Sequence, residues 1–215
     1  RHRRALAKLV LIPKVKTMIP LEDRFSRKLN ELSAQEDELM QIVSEVTGLM
    51  EQKHSQLVEL NVFQRYAQIH KQYAVLARTS AEMGEQIEAL KRALFIQWYA
   101  PSEPSCFSGI SELNRHVETD ILQEVHAWIV QGKLDQELHW MLAWYYQISD
   151  FYFEYLERID SSLHPLLHYL KSLKGGARYW FSQSDGIFEP PNRATFGGRG
   201  QMGKYWSALR GDFPE

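Results

Sequence analysis

The residues with the most suggestive chemistry lie near the C-terminus. Gly198, Gly203 and Lys204, in GRGQMGKY, repeat the glycine and lysine spacing of a phosphate-binding loop, whose backbone amides and lysine hold phosphate oxygens. The surrounding residues deny it that role. Tyr205 replaces the serine or threonine that would hold Mg²⁺, and the eleven residues after Lys204 are too few for the helix and sheet that should follow. What survives is a glycine-rich loop in which Arg193, Arg199 and Lys204 could meet an anion. Glu51 and His54 form E-x-x-H, a pair that one helix can aim at one metal. A di-iron bundle takes two such pairs and two further carboxylates, and the second pair is missing. His164 and His168 stand at i and i+4, a zinc spacing, with no carboxylate or cysteine beside them to complete a site. Neither a metal nor any other cofactor is expected.

Arg65 and His70, in RYAQIH, have a spacing similar to that of some all-α ribonucleases, where histidine moves a proton and arginine stabilises the phosphorane. Tyr66 follows the arginine in place of the usual polar residue, and such pairs arise often by chance on charged helices. Cys106 becomes a nucleophile only beside a base, and an inert buried thiol is the commoner state. No catalytic residue is assigned from the sequence.

The stretch 134–159, LDQELHWMLAWYYQISDFYFEYLERI, fixes the kind of scaffold that carries these residues. Leu134, Leu138, Met141, Tyr145, Ile148, Tyr152, Tyr155 and Ile159 recur at steps of three and four, which keeps one stripe of an α-helix against a neighbour. Trp140, Trp144 and Phe151 form a second apolar row beside it. Roughly two-thirds of the circumference is then apolar, wider than the ~100° stripe of a surface helix. Such a helix belongs inside a bundle.

Upstream, Phe25, Leu29, Leu32, Glu36, Leu39, Val43, Val46 and Met50 show the same stepping, so a first helix is expected from about 22 to 52, with Glu36 its one polar interruption. No proline occurs between Pro20 and Pro101, yet one helix of that span would reach ~120 Å at 1.5 Å per residue. The chain must fold back. Asn61 with Gln64, and Thr79 with Glu82, have capping-box spacing and place helices near 56–78 and 80–100. Residues 100–109 read as a structured loop, Ser111 as the cap of a helix ending at Gly132, and Pro165 as the first turn of a short last helix ending at Gly175. The expected fold is all-α, a bundle of about six helices over residues 21–175. A basic arm (1–20) precedes it and an irregular glycine- and aromatic-rich extension (176–215) follows.

The formal net charge of −2 gives no overall basic field for nucleic acid, although Arg1, Arg3, Arg4, Lys8, Lys14 and Lys16 make one end basic. A chain that opens on Arg1 is expected to be a trimmed or processed piece. The lone cysteine favours a reducing compartment, with cytoplasm the default. The apolar run at 9–12 is far short of the ~20 residues that a membrane span needs.

Lacking a catalytic constellation, the chain is expected to be a non-enzymatic interaction or assembly protein, binding a protein partner or itself through its bundle surface and C-terminal tail. Tyr179, Trp180, Phe188, Arg193, Arg199, Lys204, Tyr205 and Trp206 are the expected contacts, because aromatic and arginine side chains dominate binding hot spots. Two alternatives compete with that assignment. The tail aromatics could instead seal the Trp140 and Trp144 row of the chain's own bundle. Alternatively, a pocket between the aromatic helix and the tail could serve a small-ligand-binding protein or an enzyme, ribonuclease-like or metal-dependent.

Overall fold

A computed structural model describes residues 25–173 and 196–211. Among these residues there is no strand, and ten α-helices follow one another: α1 (Arg27–Glu45), α2 (Met50–Glu59), α3 (Val62–Thr79), α4 (Met83–Ser102), the short α5 (Ser105–Ser108), α6 (Arg115–Val130), α7 (Gln136–Ile148), α8 (Asp150–Ile159), α9 (His164–Ser172) and α10 (Gly200–Gly211). None is long and apolar enough to cross a membrane. The axis of the bundle is α4, not the aromatic stretch. All eleven residues from 88 to 98 are buried, and α3, α5, α6 and α10 pack around the helix. A helix buried on every side is usually apolar on every side. Here Glu88, Lys91 and Arg92 lie inside as well, which is why ALKRALFIQW reads in the sequence as an ordinary amphipathic segment.

The first helix keeps the expected stripe but ends early. Ser26 Oγ caps it by accepting the Leu29 amide at 3.3 Å, and Leu29, Leu32, Glu36, Leu39, Val43 and Val46 are buried. Gly48, at φ +117, then turns the chain as only glycine readily does, and Met50 opens α2 half-exposed instead of continuing the stripe. Asn61 does begin α3, through a left-handed φ of +55 and without a side-chain cap. Asn114, not Ser111, caps α6, accepting the His116 and Val117 amides at 3.0 and 3.3 Å. Gly132 ends that helix at φ +64, and Pro165 lies in the first turn of α9, both as the sequence predicts.

The aromatic stretch is two helices, because Ser149 leaves the helical region at φ −140, ψ 56. At the break the Trp98 indole donates to the Tyr145 carbonyl at 3.1 Å, which still receives the Ser149 amide at 3.0 Å. The predicted stripe holds as far as Tyr145, with Leu138, Met141 and Tyr145 buried, and fails at Ile148, which is half exposed. After Ser149 the helix is rotated: Tyr152, Phe153 and Leu156 face the core, while Phe151, Tyr155 and Ile159 are about half exposed. Tyr152 is 5% exposed and donates to Glu118 at 3.3 Å. Tyr152→Ala is expected to cost ~3 kcal/mol through the cavity it leaves, and an unchanged urea midpoint would refute that.

The breaks at residues 46–49 and at Ser149, together with α5 and α10, account for ten helices where periodicity suggests about six. Residues 1–20 and 176–195, which include the basic arm and half of the expected irregular extension, lie outside the described residues. The described part of that extension is largely helical. Residues 200–211 form α10, which packs along α1 and against α4.

Candidate functional site

Of the eight residues the sequence offers for contact, Tyr179, Trp180, Phe188 and Arg193 lie outside the described residues. The other four sit at the seat of α10, and the structure turns two of them inward. Arg199 is 2% exposed and Trp206 is 2% exposed. Tyr205 is half-buried, its hydroxyl receiving the Trp144 indole N–H at 3.0 Å, and Lys204 is exposed in an ion pair with Asp37 at 2.7 Å. The Trp206 ring lies 4.7 Å from Trp140, 6.1 Å from Trp144 and 5.9 Å from Tyr145, centre to centre. These rings are in contact, so Trp206 covers the Trp140 and Trp144 row.

Beneath α10 runs a buried chain of charges that ties α4 and α7 to the residues leading into α10. Arg199 donates to both oxygens of Glu88, at 2.8 and 2.7 Å, and also pairs with both oxygens of Glu137 on α7. Arg92, one turn along α4 from Glu88, donates to it at 2.8 Å, and a second guanidinium nitrogen reaches the Gly198 carbonyl at 3.2 Å. Lys91 joins Glu137 at 2.6 Å and also meets Asp135. Burial works against ionisation of Glu88, yet Arg199 and Arg92 outweigh it and hold the carboxyl at about 2. Burial likewise disfavours the charged Arg199, and Glu88 and Glu137 more than compensate, so its guanidinium stays charged. With its donors spent on two carboxylates, Arg199 has no fork left for an outside anion.

Glu36, the polar interruption in the α1 stripe, completes the seat. Its Oε1 accepts the Tyr73 hydroxyl at 2.6 Å and its Oε2 accepts the Gln201 amide at 2.9 Å, so it caps the N-terminus of α10. Gly200 has φ +57, and a Cβ there would come within 2.5 Å of the Glu36 carboxyl. No other residue type fits between the helix start and its cap. Burial pushes the Glu36 carboxyl up to about 7, with Asp37 adding slightly, against the Tyr73 hydroxyl, the Gln201 amide and Arg92. Its ordinary value is 4.5, so the folded chain holds the proton more tightly than the unfolded one. The stability this contributes is complete below the unfolded value and is lost as pH rises through the folded value near 7. Across that window the expected loss is about 3 kcal/mol. Glu36→Gln cannot ionise and should remove that slope, and parallel stability–pH curves for the two proteins would refute the assignment.

The remaining motifs do not converge. Arg65 points outward to Glu38 at 2.8 Å, whereas His70 is buried against Gln97 at 3.2 Å, and burial lowers its pKa to about 4. Proton-transfer chemistry between them has no shared site. His54 hydrogen-bonds Ser105 at 3.0 Å, and His164 pairs with Glu157 at 2.6 Å. Among the described residues no group of three or more histidine, cysteine or acidic side chains is placed to hold a metal. Cys106 is a buried free thiol.

Sequence reasoning missed Glu88, Lys91, Arg92 and Glu137. The i, i+4 pair of Glu88 and Arg92 was visible, but exposed helices carry such pairs routinely. Glu36 did give a signal, as one acid in an otherwise apolar stripe. Comparison with protein-family models, with curated proteins and with solved structures found no match for this chain.

Proposed function

We propose that this chain is a non-enzymatic helical assembly protein that associates with a second copy of itself through the outer face of α8. One observation carries the reading. Phe151, Tyr155 and Ile159, at i, i+4 and i+8, are 54%, 46% and 51% exposed and form an apolar ridge on an acidic helix. Ile148, 50% exposed, stands at its head. Scattered exposed apolar residues are ordinary, whereas a ridge at helical spacing is the form that docks against another helix.

The charges around the ridge favour a second copy as the occupant. A two-fold interface must be self-complementary, with each surface presenting both halves of every contact. The α8 face carries Glu154 and Arg158, and the Arg115 guanidinium lies over the Tyr155 ring at 5.4 Å. Two antiparallel copies crossing at Tyr155 set the cations of one beside Glu154 of the other. The tail contributes by fixing the bundle, not by recognition through Arg199 or Trp206. A cytoplasmic setting belongs to the same proposal and suits the free, buried thiol of Cys106.

From Phe151 to Ile159 the ridge is only about 12 Å long, less than the patch that buries roughly 800 Å² per partner in a standard interface. Association in the range of tens of micromolar is therefore expected. Sedimentation equilibrium tests it: the wild type should shift from monomer to dimer with concentration, and Phe151→Glu with Ile159→Glu should stay monomeric with an unchanged melt. A wild type that is monomeric at about 1 mM, or a variant that dimerises equally, would overturn it.

A further inference from the structure

We infer that Glu118 couples self-association to proton uptake, so that a dimer formed through the α8 ridge, the interface proposed above on which this rests, tightens as pH falls. Glu118 lies on α6, where the core meets the ridge. Its Oε1 accepts the Tyr152 hydroxyl at 3.3 Å, from the inward side of α8. One turn earlier on the same face of α6, Arg115 lays its guanidinium over the ring of Tyr155, the central residue of the ridge, at 5.4 Å. A single turn of α6 thus touches both faces of α8. Glu118 is partly exposed, and its Oε2, which accepts no hydrogen bond among the described residues, is not shut away from solvent. What covers the ridge therefore decides how much water this carboxyl keeps.

Burial pushes the Glu118 carboxyl up from its ordinary 4.5, against the Tyr152 hydroxyl and the Arg115 guanidinium. The other groups around it are neutral or already committed. The Gln97 carboxamide of α4 approaches the same Tyr152 hydroxyl, and Arg78 of α3 is paired with Asp120 at 3.1 Å. A second copy seated on Tyr155 covers Arg115 and removes water from the open side of the carboxyl. It also sets Arg115 beside Glu154 of the other copy, which loosens the hold of that cation on Glu118. Both changes disfavour the charged form, so the carboxyl binds its proton more tightly in the dimer than in the monomer. The affinity this adds is complete below the monomer's value and is lost as pH rises through the dimer's higher one, and both lie above 4.5. A two-fold interface holds two such carboxyls, which doubles the dependence.

Sedimentation equilibrium near pH 5.5 and near pH 8 tests this, with the dissociation constant expected to be at least about fivefold lower at the acid end. Glu118→Gln imitates the protonated carboxyl and should show the tighter constant at both, varying by less than about twofold. Dilution calorimetry of the wild type near pH 6, repeated in buffers of different ionisation heat, should read a net release of protons on dissociation, whether or not the variant folds. A wild type that stays monomeric at both pH values would sink the α8 interface and this inference with it. A dimer of equal strength at both, or one that dissociates without releasing protons, would overturn the role of Glu118 and leave the interface standing. So would a slope that survives in Glu118→Gln, because it belongs to another group such as His164 beside Glu157.

Discussion

Arg199→Met is expected to lower the free energy of unfolding by about 3–5 kcal/mol, because it strands two buried carboxylates. Glu88 loses two charge-assisted hydrogen bonds and Glu137 loses its interior cation, while Lys91 and Arg92 neutralise them only in part. Packing alone would not produce so large a cost, since methionine fills much of the arginine stem. The pH dependence separates the two causes. In the wild type the arginines hold Glu88 at about 2, so its contribution is present above the unfolded value of 4.5 and is lost as pH falls towards 2. Without Arg199 the carboxyls protonate more readily in the fold, so the gap between variant and wild type should narrow on acidification. Urea melts at neutral pH and near pH 4 would read this. A loss under about 1 kcal/mol, or one unchanged by pH, would show that the pairing contributes little. Lys204→Gln is the internal control: its ion pair with Asp37 is half-exposed on both sides and should be worth under about 1 kcal/mol.

Trp206→Ala should cost about 3–5 kcal/mol and remove much of the near-ultraviolet dichroism. The ring is buried against the bundle. It packs edge-on against Trp140 at 4.7 Å and stacks on Tyr145 at 5.9 Å, while Tyr205 meets it at 4.8 Å. Removing it opens a void lined by rigid rings, which collapse poorly, so the cost should fall in the upper part of the range for large-to-small changes. If the variant melts as the wild type does and loses only a binding partner, Trp206 serves recognition and the interior assignment fails.

How far the sequence discloses this molecule depends on what kind of information periodicity carries. It reports which face of a helix is apolar, and on α1 that reading holds residue by residue from Leu29 to Val46. It cannot report a change of phase. Ser149 is one polar residue in an apolar pattern that continues unbroken at the level of spacing, yet the helix breaks there, at φ −140 and ψ 56. Beyond that break Tyr155 and Ile159 come to face outward. The ridge on α8 was thus written in the sequence as core. Burial of charge is illegible for a different reason: Glu88, Arg92 and Arg199 are acceptable inside only as a set, and their partners are up to 111 residues apart. Glycine composition misled in turn. Gly198, Gly200 and Gly203 suggest irregular chain, but Gly200 gives the close approach that lets α10 start against Glu36, and Gly203 lets its first turn lie against the Phe196 carbonyl.

That late closure has a consequence for how the protein is made. Arg199 lies 62 residues beyond Glu137, and Gln201 lies 165 beyond the Glu36 carboxyl that caps its helix. A ribosome working at about 5–20 residues per second needs roughly 3–12 s to go from the acid to its cation. Throughout that interval the nascent bundle carries Glu88 and Glu137 without Arg199, and Trp140 and Trp144 without Trp206. The chain therefore passes through an open form on every round of synthesis. Its exposure to chaperones and proteases is set by translation speed over the stretch that leads to α10.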